Sequence, residues 1–204
     1  MCRCIAFACS CSSSGETTER WIGNWLEARV AAGTLERNDF YIATKCNPAG
    51  IGSPDPTPHN FTAERLEASA RASLARLRTD RIDLFYLHFP SRLGFAGFGW
   101  ASWGAPERYA AARTSDGSAA DFDRQVLAIK RLFDEKLIRH WALSNENAFG
   151  LTMICLACDR LGVPRPVCVQ NDMSLNNRVY EGDLAEAAHH FGVVGLPYGA
   201  SRAT

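Results

Sequence analysis

Five successive apolar segments of the chain end in polar side chains that can transfer protons or form hydrogen bonds. These segments read IATK, IDLFYLH, WALSN, VCVQN and VGLPY. The polar side chains at their ends are Lys45, His88, Ser144, Asn145, Gln170 and Tyr198. Lysine and histidine supply positive charge and protons, while serine, asparagine and glutamine match the donors and acceptors of an amide. A buried polar group without a partner costs about 1–3 kcal/mol, so this set of residues indicates a bound ligand or mutual hydrogen bonds.

The elements that must position these residues alternate between helix and strand. Apolar residues three and four positions apart predict a helix beside each strand, and two of these helices span 148–161 and 182–191. Gly162 and Gly192 follow those two helices directly and predict their ends. The strands are almost continuously apolar, which is typical of a parallel sheet covered by helices on both faces.

Two α/β folds fit this alternation, a doubly wound sheet and a (β/α)8 TIM barrel. No Gly-x-Gly-x-x-Gly motif follows any of the strands, so the dinucleotide-binding form of the doubly wound sheet is disfavoured. In a barrel, residues at the carboxyl ends of the strands line the mouth of the active site. The barrel therefore explains why polar residues end these apolar strands.

The composition limits the classes of partner. The 204 residues carry 22 Lys and Arg against 22 Asp and Glu. Without a basic surplus, we expect no nucleic-acid partner. No apolar run reaches the roughly 18 residues of a membrane span, so we expect no membrane partner either.

Eight cysteines fall into two groups. Cys2, Cys4, Cys9 and Cys11 lie in a Cys- and Ser-rich opening, and Cys46, Cys155, Cys158 and Cys168 lie in apolar segments. We expect residues 1–14 to be a disordered leader, with a soft-metal site or a targeting peptide as alternatives, and 200–204 to be a tail. The second group is expected to pack in the core, because buried thiols behave as small hydrophobes, and no metal site is predicted there.

Taken in order, the segments resemble the aldo-keto reductase family. The stretches that carry the resemblance are IATK, IDLFYLHFP, IRHWALSNENAFG, VQNDMSLNNR and VVGLPYG. The stretch TERWIGNWLEAR is similar to the bacterial Tas-like branch of that family. The resemblance covers residues 15–199 and implies a partial aldo-keto reductase domain. It is expected to be an incomplete barrel of about five β/α units, equivalent to family strands three to seven.

The resemblance also implies a function, the NADP(H)-dependent reduction of aldehydes and ketones to alcohols without a metal. By this resemblance Lys45 and His88 are expected to be catalytic. The nicotinamide carboxamide is expected to bind to Ser144, Asn145 and Gln170. Tyr198 is expected to stack on the nicotinamide ring. The expected partner is a small carbonyl substrate, and the expected location is the cytoplasm.

The chain departs from the family pattern at both ends. The family's proton-donating tyrosine and its aspartate should precede TERWIGNW, but residues 1–38 contain neither Asp nor Tyr. The eighth strand and the basic segment for the 2′-phosphate are not found after Tyr198. We therefore expect an impaired or inactive reductase in a truncated chain, with self-association through open barrel edges. The alternatives are a non-catalytic cofactor-binding module, like the family's auxiliary subunits of potassium channels, and a non-functional gene fragment.

The long connection 91–120 is rich in aromatic residues. Loops on the catalytic face of barrels set substrate specificity, so this segment is expected to form part of the substrate wall. Alternatively, its aromatic side chains only pack the loop onto the domain.

Overall fold

Strands and helices alternate along the chain in a computed structural model, which describes residues 6–8, 13–48, 61–92, 95–96 and 119–200. In chain order the elements are β1 (Ala6–Ala8), α1 (Ser13–Ala31), β2 (Tyr41–Cys46), α2 (Ala63–Leu77), β3 (Ile82–Leu87), β4 (Ser91–Arg92), β5 (Phe95–Ala96), α3 (Ala119–Asp134), β6 (Ile138–Ser144), α4 (Ala148–Leu161), β7 (Cys168–Asp172), α5 (Asp183–Phe191) and β8 (Val194–Tyr198). Short 3₁₀ turns at Arg37–Asp39 and Val179–Glu181 precede β2 and α5.

Six of the strands form one parallel sheet in the order β1-β2-β3-β6-β7-β8. The strands β4 and β5 form a separate antiparallel pair. Within the described residues β1 and β8 do not pair, so the sheet stays open. Parallel strands joined by helices in this order confirm the α/β fold class of an incomplete barrel.

The structure differs from the sequence analysis at the amino end of the domain. Residues 1–14 were expected to be a disordered leader, but Ala6–Ala8 pairs with β2 as a parallel strand, and α1 begins at Ser13. The sheet therefore has six strands where five were expected. A three-residue strand escapes sequence analysis because its periodicity is too short to read.

The predicted helix ends are confirmed at both glycines. Gly162 ends α4 with φ of 66°, and Gly192 ends α5 with φ of 68°. Both angles lie in the left-handed region, which glycine adopts without a steric penalty. At the start of α4, the Asn147 side chain accepts a hydrogen bond from Gly150 N at 2.8 Å.

The main core lies between the sheet and the helices, where Phe85, Trp141 and Ile129 are almost fully buried. Trp141 satisfies its indole by donating Nε1–H to Pro164 O at 2.7 Å. The four described cysteines, predicted to pack in the core, are all buried free thiols. Of the connection 91–120, the structure describes only β4, β5 and the start of α3, so both interpretations of that loop stay open.

A buried carboxylate fixes the amino end of the sheet. Asp83 is fully buried on β3 and accepts hydrogen bonds from Ile42 N at 2.9 Å and Arg37 Nη2 at 2.7 Å. Its other oxygen lies 3.3 Å from Arg139 Nη1 on β6. Hydrogen bonds to Asp83 thereby connect β2, β3 and β6 at the end of the sheet opposite to the carboxyl ends of the strands. Such a charge is tolerated only because it is paired.

None of the described helices is both long and apolar enough to cross a membrane.

The close approach of α1 to α2 at Gly23 generates a stability prediction. A Cβ on Gly23 of α1 would lie 2.3 Å from Arg76 O and 2.8 Å from Leu77 C, which are backbone atoms of α2. Gly23→Ala should therefore destabilise the fold by about 1–3 kcal/mol or more, because the two helices must separate. Helix propensity alone predicts the opposite sign, a gain of about 1 kcal/mol. Urea unfolding measures the difference.

The exposed neighbouring position offers a matched control. Asn24→Ala on the same helix should change the free energy of unfolding by no more than about 0.5 kcal/mol. If Gly23→Ala were as stable as Asn24→Ala, the close approach of α1 to α2 would be wrong.

Candidate active site

The carboxyl ends of the strands bring the predicted polar residues together in two levels. In the lower level, Lys45 on β2 pairs in register with Tyr86 on β3, and Tyr86 pairs with Ala142 on β6. In the upper level, Ser144 on β6 pairs with Gln170 on β7. Because side chains alternate along a strand, residues two positions apart face the same side of the sheet.

Asn145 links the upper level. Its Nδ2 donates to His88 O at 2.9 Å and to Ser144 Oγ at 3.3 Å, while its Oδ1 accepts from the Tyr198 hydroxyl at 2.6 Å. Its backbone N–H donates to Gln170 O at 3.0 Å. Asn145 has φ of 57°, in the left-handed region that asparagine adopts more readily than most residues. One residue thereby connects the ends of β3, β6, β7 and β8.

His88 is held by its backbone and by its ring. Its N–H donates to Cys46 O at 2.9 Å, and its Nδ1 lies 2.5 Å from Asn47 Oδ1. Burial, together with the positive charge of Lys45, lowers the pKa of His88 to about 4. His88 is therefore neutral near pH 7.

Lys45 lies one level below His88, and its Nζ is 5.5 Å from the centre of the Tyr86 ring. This distance is within the range of a cation–π interaction. The Tyr86 side chain is only 1% exposed, and its hydroxyl lies 3.4 Å from Cys168 Sγ. Burial raises the pKa of Tyr86, so this phenol is a poor proton donor despite its proximity to Lys45.

Gln170 carries an unsatisfied acceptor. Its Oε1 is buried and has no hydrogen-bond partner within the described part of the chain. By contrast, Ser144 Oγ already donates to Gln170 O at 2.9 Å, and the Asn145 amide is used at both atoms. An amide N–H of a bound ligand would satisfy Gln170 Oε1, so the site chemically fits a carboxamide such as that of nicotinamide.

The structure thus joins His88, Ser144, Asn145, Gln170 and Tyr198 through hydrogen bonds, with Lys45 one level below. Their catalytic and cofactor-binding roles stay predictions. Asn47 is not among the predicted residues, although it lies two positions after Lys45 and shares its strand parity. Extending the strand-end rule by one more inward position would have found it.

The spacing of Cys155 and Cys158 on α4 does not produce a reactive pair. Both thiols are fully buried, and burial raises the pKa of each to about 12. Thiols that stay protonated in this way are poor nucleophiles and poor metal ligands. Among the described residues, no group of three or more His, Cys, Asp or Glu side chains could hold a metal ion.

The open parallel sheet and its polar strand ends define a protein of the β/α-barrel class, and comparisons with known proteins identify the family. Residues 14–201 match the Aldo/keto reductase family. The chain therefore belongs to the aldo/keto reductase family.

Among curated relatives, protein tas of Escherichia coli strain K12 is 30% identical over 191 residues, which cover 89% of this chain and 49% of that protein. Human aflatoxin B1 aldehyde reductase member 4 is 27% identical over 152 residues, covering 74% of this chain and 36% of that protein. The chain thus spans half or less of the length of these relatives. The similarity to tas supports the Tas-like branch.

A solved structure shares the fold. The aldo-keto reductase of the silkworm Bombyx mori, in complex with NADPH, superposes with a TM-score of 0.64 at 21% sequence identity. The match covers 97% of this chain and 48% of the silkworm protein.

The environment of His88 generates a pH prediction. Its pKa of about 4 lies below the value of about 6.5 for an unfolded histidine, so the unfolded chain binds more protons between these values. The stabilisation is therefore complete above pH 6.5 and is lost as the pH falls towards 4. We expect a loss of up to about 3 kcal/mol across this window, measured by urea unfolding at stepped pH.

A variant without the titrating ring isolates this contribution. In His88→Gln the part of the pH slope that comes from His88 should disappear. If the wild type and His88→Gln lost stability in parallel between pH 6.5 and 4, the low pKa of His88 would be wrong.

Proposed function

We propose that the protein is an NADP(H)-dependent oxidoreductase that reduces aldehydes or ketones to alcohols. Membership of the aldo/keto reductase family supports this reaction class. The observation that carries the proposal is the buried, unsatisfied Gln170 Oε1 beside a fully bonded Ser144 and Asn145. An acceptor left open in an otherwise satisfied polar cluster is suited to a ligand amide.

Gln170, Ser144, Asn145 and Tyr198 would hold the nicotinamide end of the cofactor. When bound, NADPH supplies the hydride for the carbonyl carbon. Gln170 offers an acceptor to the carboxamide, and the Asn145 amide fixes the Tyr198 hydroxyl at 2.6 Å and so orients the aromatic ring. The electron-rich ring face of Tyr198 suits a flat ring that becomes cationic on oxidation.

Lys45 and His88 would act on the substrate oxygen, where negative charge develops as the carbonyl is reduced. A preorganised positive charge at this point stabilises the transition state. Tyr86 is close to Lys45, but its hydroxyl is directed to Cys168 in a buried position. We therefore propose that these 204 residues alone reduce carbonyls slowly, since a well-placed general acid contributes about 10²–10⁴-fold in rate.

Cofactor binding tests the proposal. The wild-type chain should bind NADPH, detected by the change in NADPH fluorescence on titration. Gln170→Leu removes the open acceptor and should weaken binding about tenfold or more, because the carboxamide N–H is left without a partner.

An exposed amide at the same end of the sheet provides the control. Asn176→Leu should leave the affinity for NADPH unchanged, because Asn176 lies outside the polar cluster. A folded wild-type chain that fails to bind NADPH, or a Gln170→Leu variant with unchanged affinity, would overturn the proposal.

The proposed partner is a small carbonyl compound, and the proposed location is the cytoplasm.

We also propose that the chain self-associates through the exposed edge of its sheet. On β8, Val194 is 63% exposed and Leu196 is 42% exposed, and sheet edges readily pair with further strands.

Changing Val194 and Leu196 together to Thr should reduce association, measured by sedimentation velocity. The control Val179→Thr, an exposed apolar position outside the sheet, should leave association unchanged. A monomeric wild type would contradict the proposal.

A further inference from the structure

Asn171 follows Gln170 on β7, and the side chains of these two residues face opposite sides of the sheet. Gln170 pairs in register with Ser144 and shares its side of the sheet. Asn171 shares strand parity with Val169, which is fully buried between the sheet and the helices. The Asn171 amide is therefore directed towards the helix layer, where α4 begins, and lies on the opposite face from the open acceptor of Gln170.

Both polar atoms of this amide bind the backbone of one residue. Asn171 Nδ2 donates to Glu146 O at 2.7 Å, and Asn171 Oδ1 accepts from the Glu146 N–H at 3.2 Å. A backbone N–H can only donate and a backbone carbonyl can only accept, so the two partners fix which atom of the amide is the oxygen. Because Glu146 is only 4% exposed, water has little access to replace these hydrogen bonds.

Glu146 follows Asn145 directly, so the two hydrogen bonds also act on the Asn145 turn. Asn145 adopts the left-handed conformation with φ of 57°, and its own N–H donates to Gln170 O at 3.0 Å. The turn is thus held on one side by Gln170 and on the other by Asn171, which are consecutive residues of β7. A residue other than glycine keeps such a conformation when the surrounding structure holds it, and the bonds from Asn171 supply half of that support.

We propose that Asn171 is a positioning residue, which holds the Asn145 turn against β7 so that the side chains of Asn145 and Gln170 keep the spacing that binds a carboxamide. The functional part of this inference rests on the proposed function, in which Gln170 Oε1 accepts from the carboxamide and Asn145 orients Tyr198. Asn171 acts only through these neighbours. The geometry of the turn is a property of this chain alone.

The preference of the site for a carboxamide tests this role. Calorimetric titration compares NADP with its 3-acetylpyridine analogue, in which a methyl group replaces the amide NH₂. The wild type should bind NADP about tenfold more tightly, because the analogue has no N–H for Gln170 Oε1. In Asn171→Leu this ratio should fall to about threefold or less, because the acceptor is no longer held in place. A purely structural loss lowers the folded fraction and weakens both affinities equally, so it leaves the ratio unchanged.

Two further variants separate the hydrogen bonds from packing. Asn171→Asp is isosteric and keeps an acceptor for the Glu146 N–H, but its second oxygen cannot donate to Glu146 O as a carboxylate, so the ratio should fall again. Asn176→Leu makes the same change as Asn171→Leu at an exposed position outside the polar cluster and should keep the wild-type ratio. A wild type that prefers NADP, with the same preference in Asn171→Leu and Asn171→Asp, would overturn the inference.

Hydrogen exchange of the full chain without cofactor keeps the two proposals apart. In Asn171→Leu the Asn145 N–H, which donates to Gln170 O, should exchange about tenfold faster than in the wild type, because local opening of the turn becomes easier. If this exchange is faster but the wild type shows no preference for NADP, the proposed function fails while the positioning of the turn stands. If the exchange at Asn145 is unchanged, the inference about Asn171 fails while the proposed function stands on its own binding test.

Discussion

The hydrogen bonds of a single amide, that of Asn145, determine how the strand ends of this protein are arranged. Asn145 reaches the backbone of β3, the side chain of Ser144 and the hydroxyl of Tyr198 on β8. Its left-handed backbone conformation turns the chain out of β6, and the side chain then serves as the common partner of its neighbours. Without this residue the carbonyl of His88 would lose its side-chain donor, and a buried polar group without a partner costs about 1–3 kcal/mol.

The buried polar groups at the two ends of the sheet differ in whether they have hydrogen-bond partners. At the amino end, Asp83 is surrounded by the arginines at 37 and 139 and by a backbone N–H, so its charge is neutralised and its oxygens are used. At the carboxyl end, Gln170 Oε1 is buried without a partner in the described structure. The first arrangement stabilises the fold, and the second leaves an open acceptor, to which we assign the ligand amide of the proposed function.

Lys45 is the charged group of this cluster, whereas His88 and Tyr86 are neutral near pH 7. Burial and the charge of Lys45 keep His88 neutral, and burial keeps Tyr86 protonated. Lys45 therefore supplies the positive charge next to a neutral imidazole. On β8, Val194 is 63% exposed and Leu196 is 42% exposed, so apolar surface is accessible at this end of the strand order.

The local sequence pattern determines much of this protein. The ends of α4 and α5 at Gly162 and Gly192 depend on neighbouring residues, and so does the side of a strand that each residue faces. Sequence alone therefore predicted the alternation, the fold class and the residues at the strand ends. Tertiary structure decided the pairing of β1 with β2, the contact of Asn47 with His88 and that of Tyr86 with Cys168. These depend on the register between strands far apart in sequence, which the pattern of a single strand does not encode.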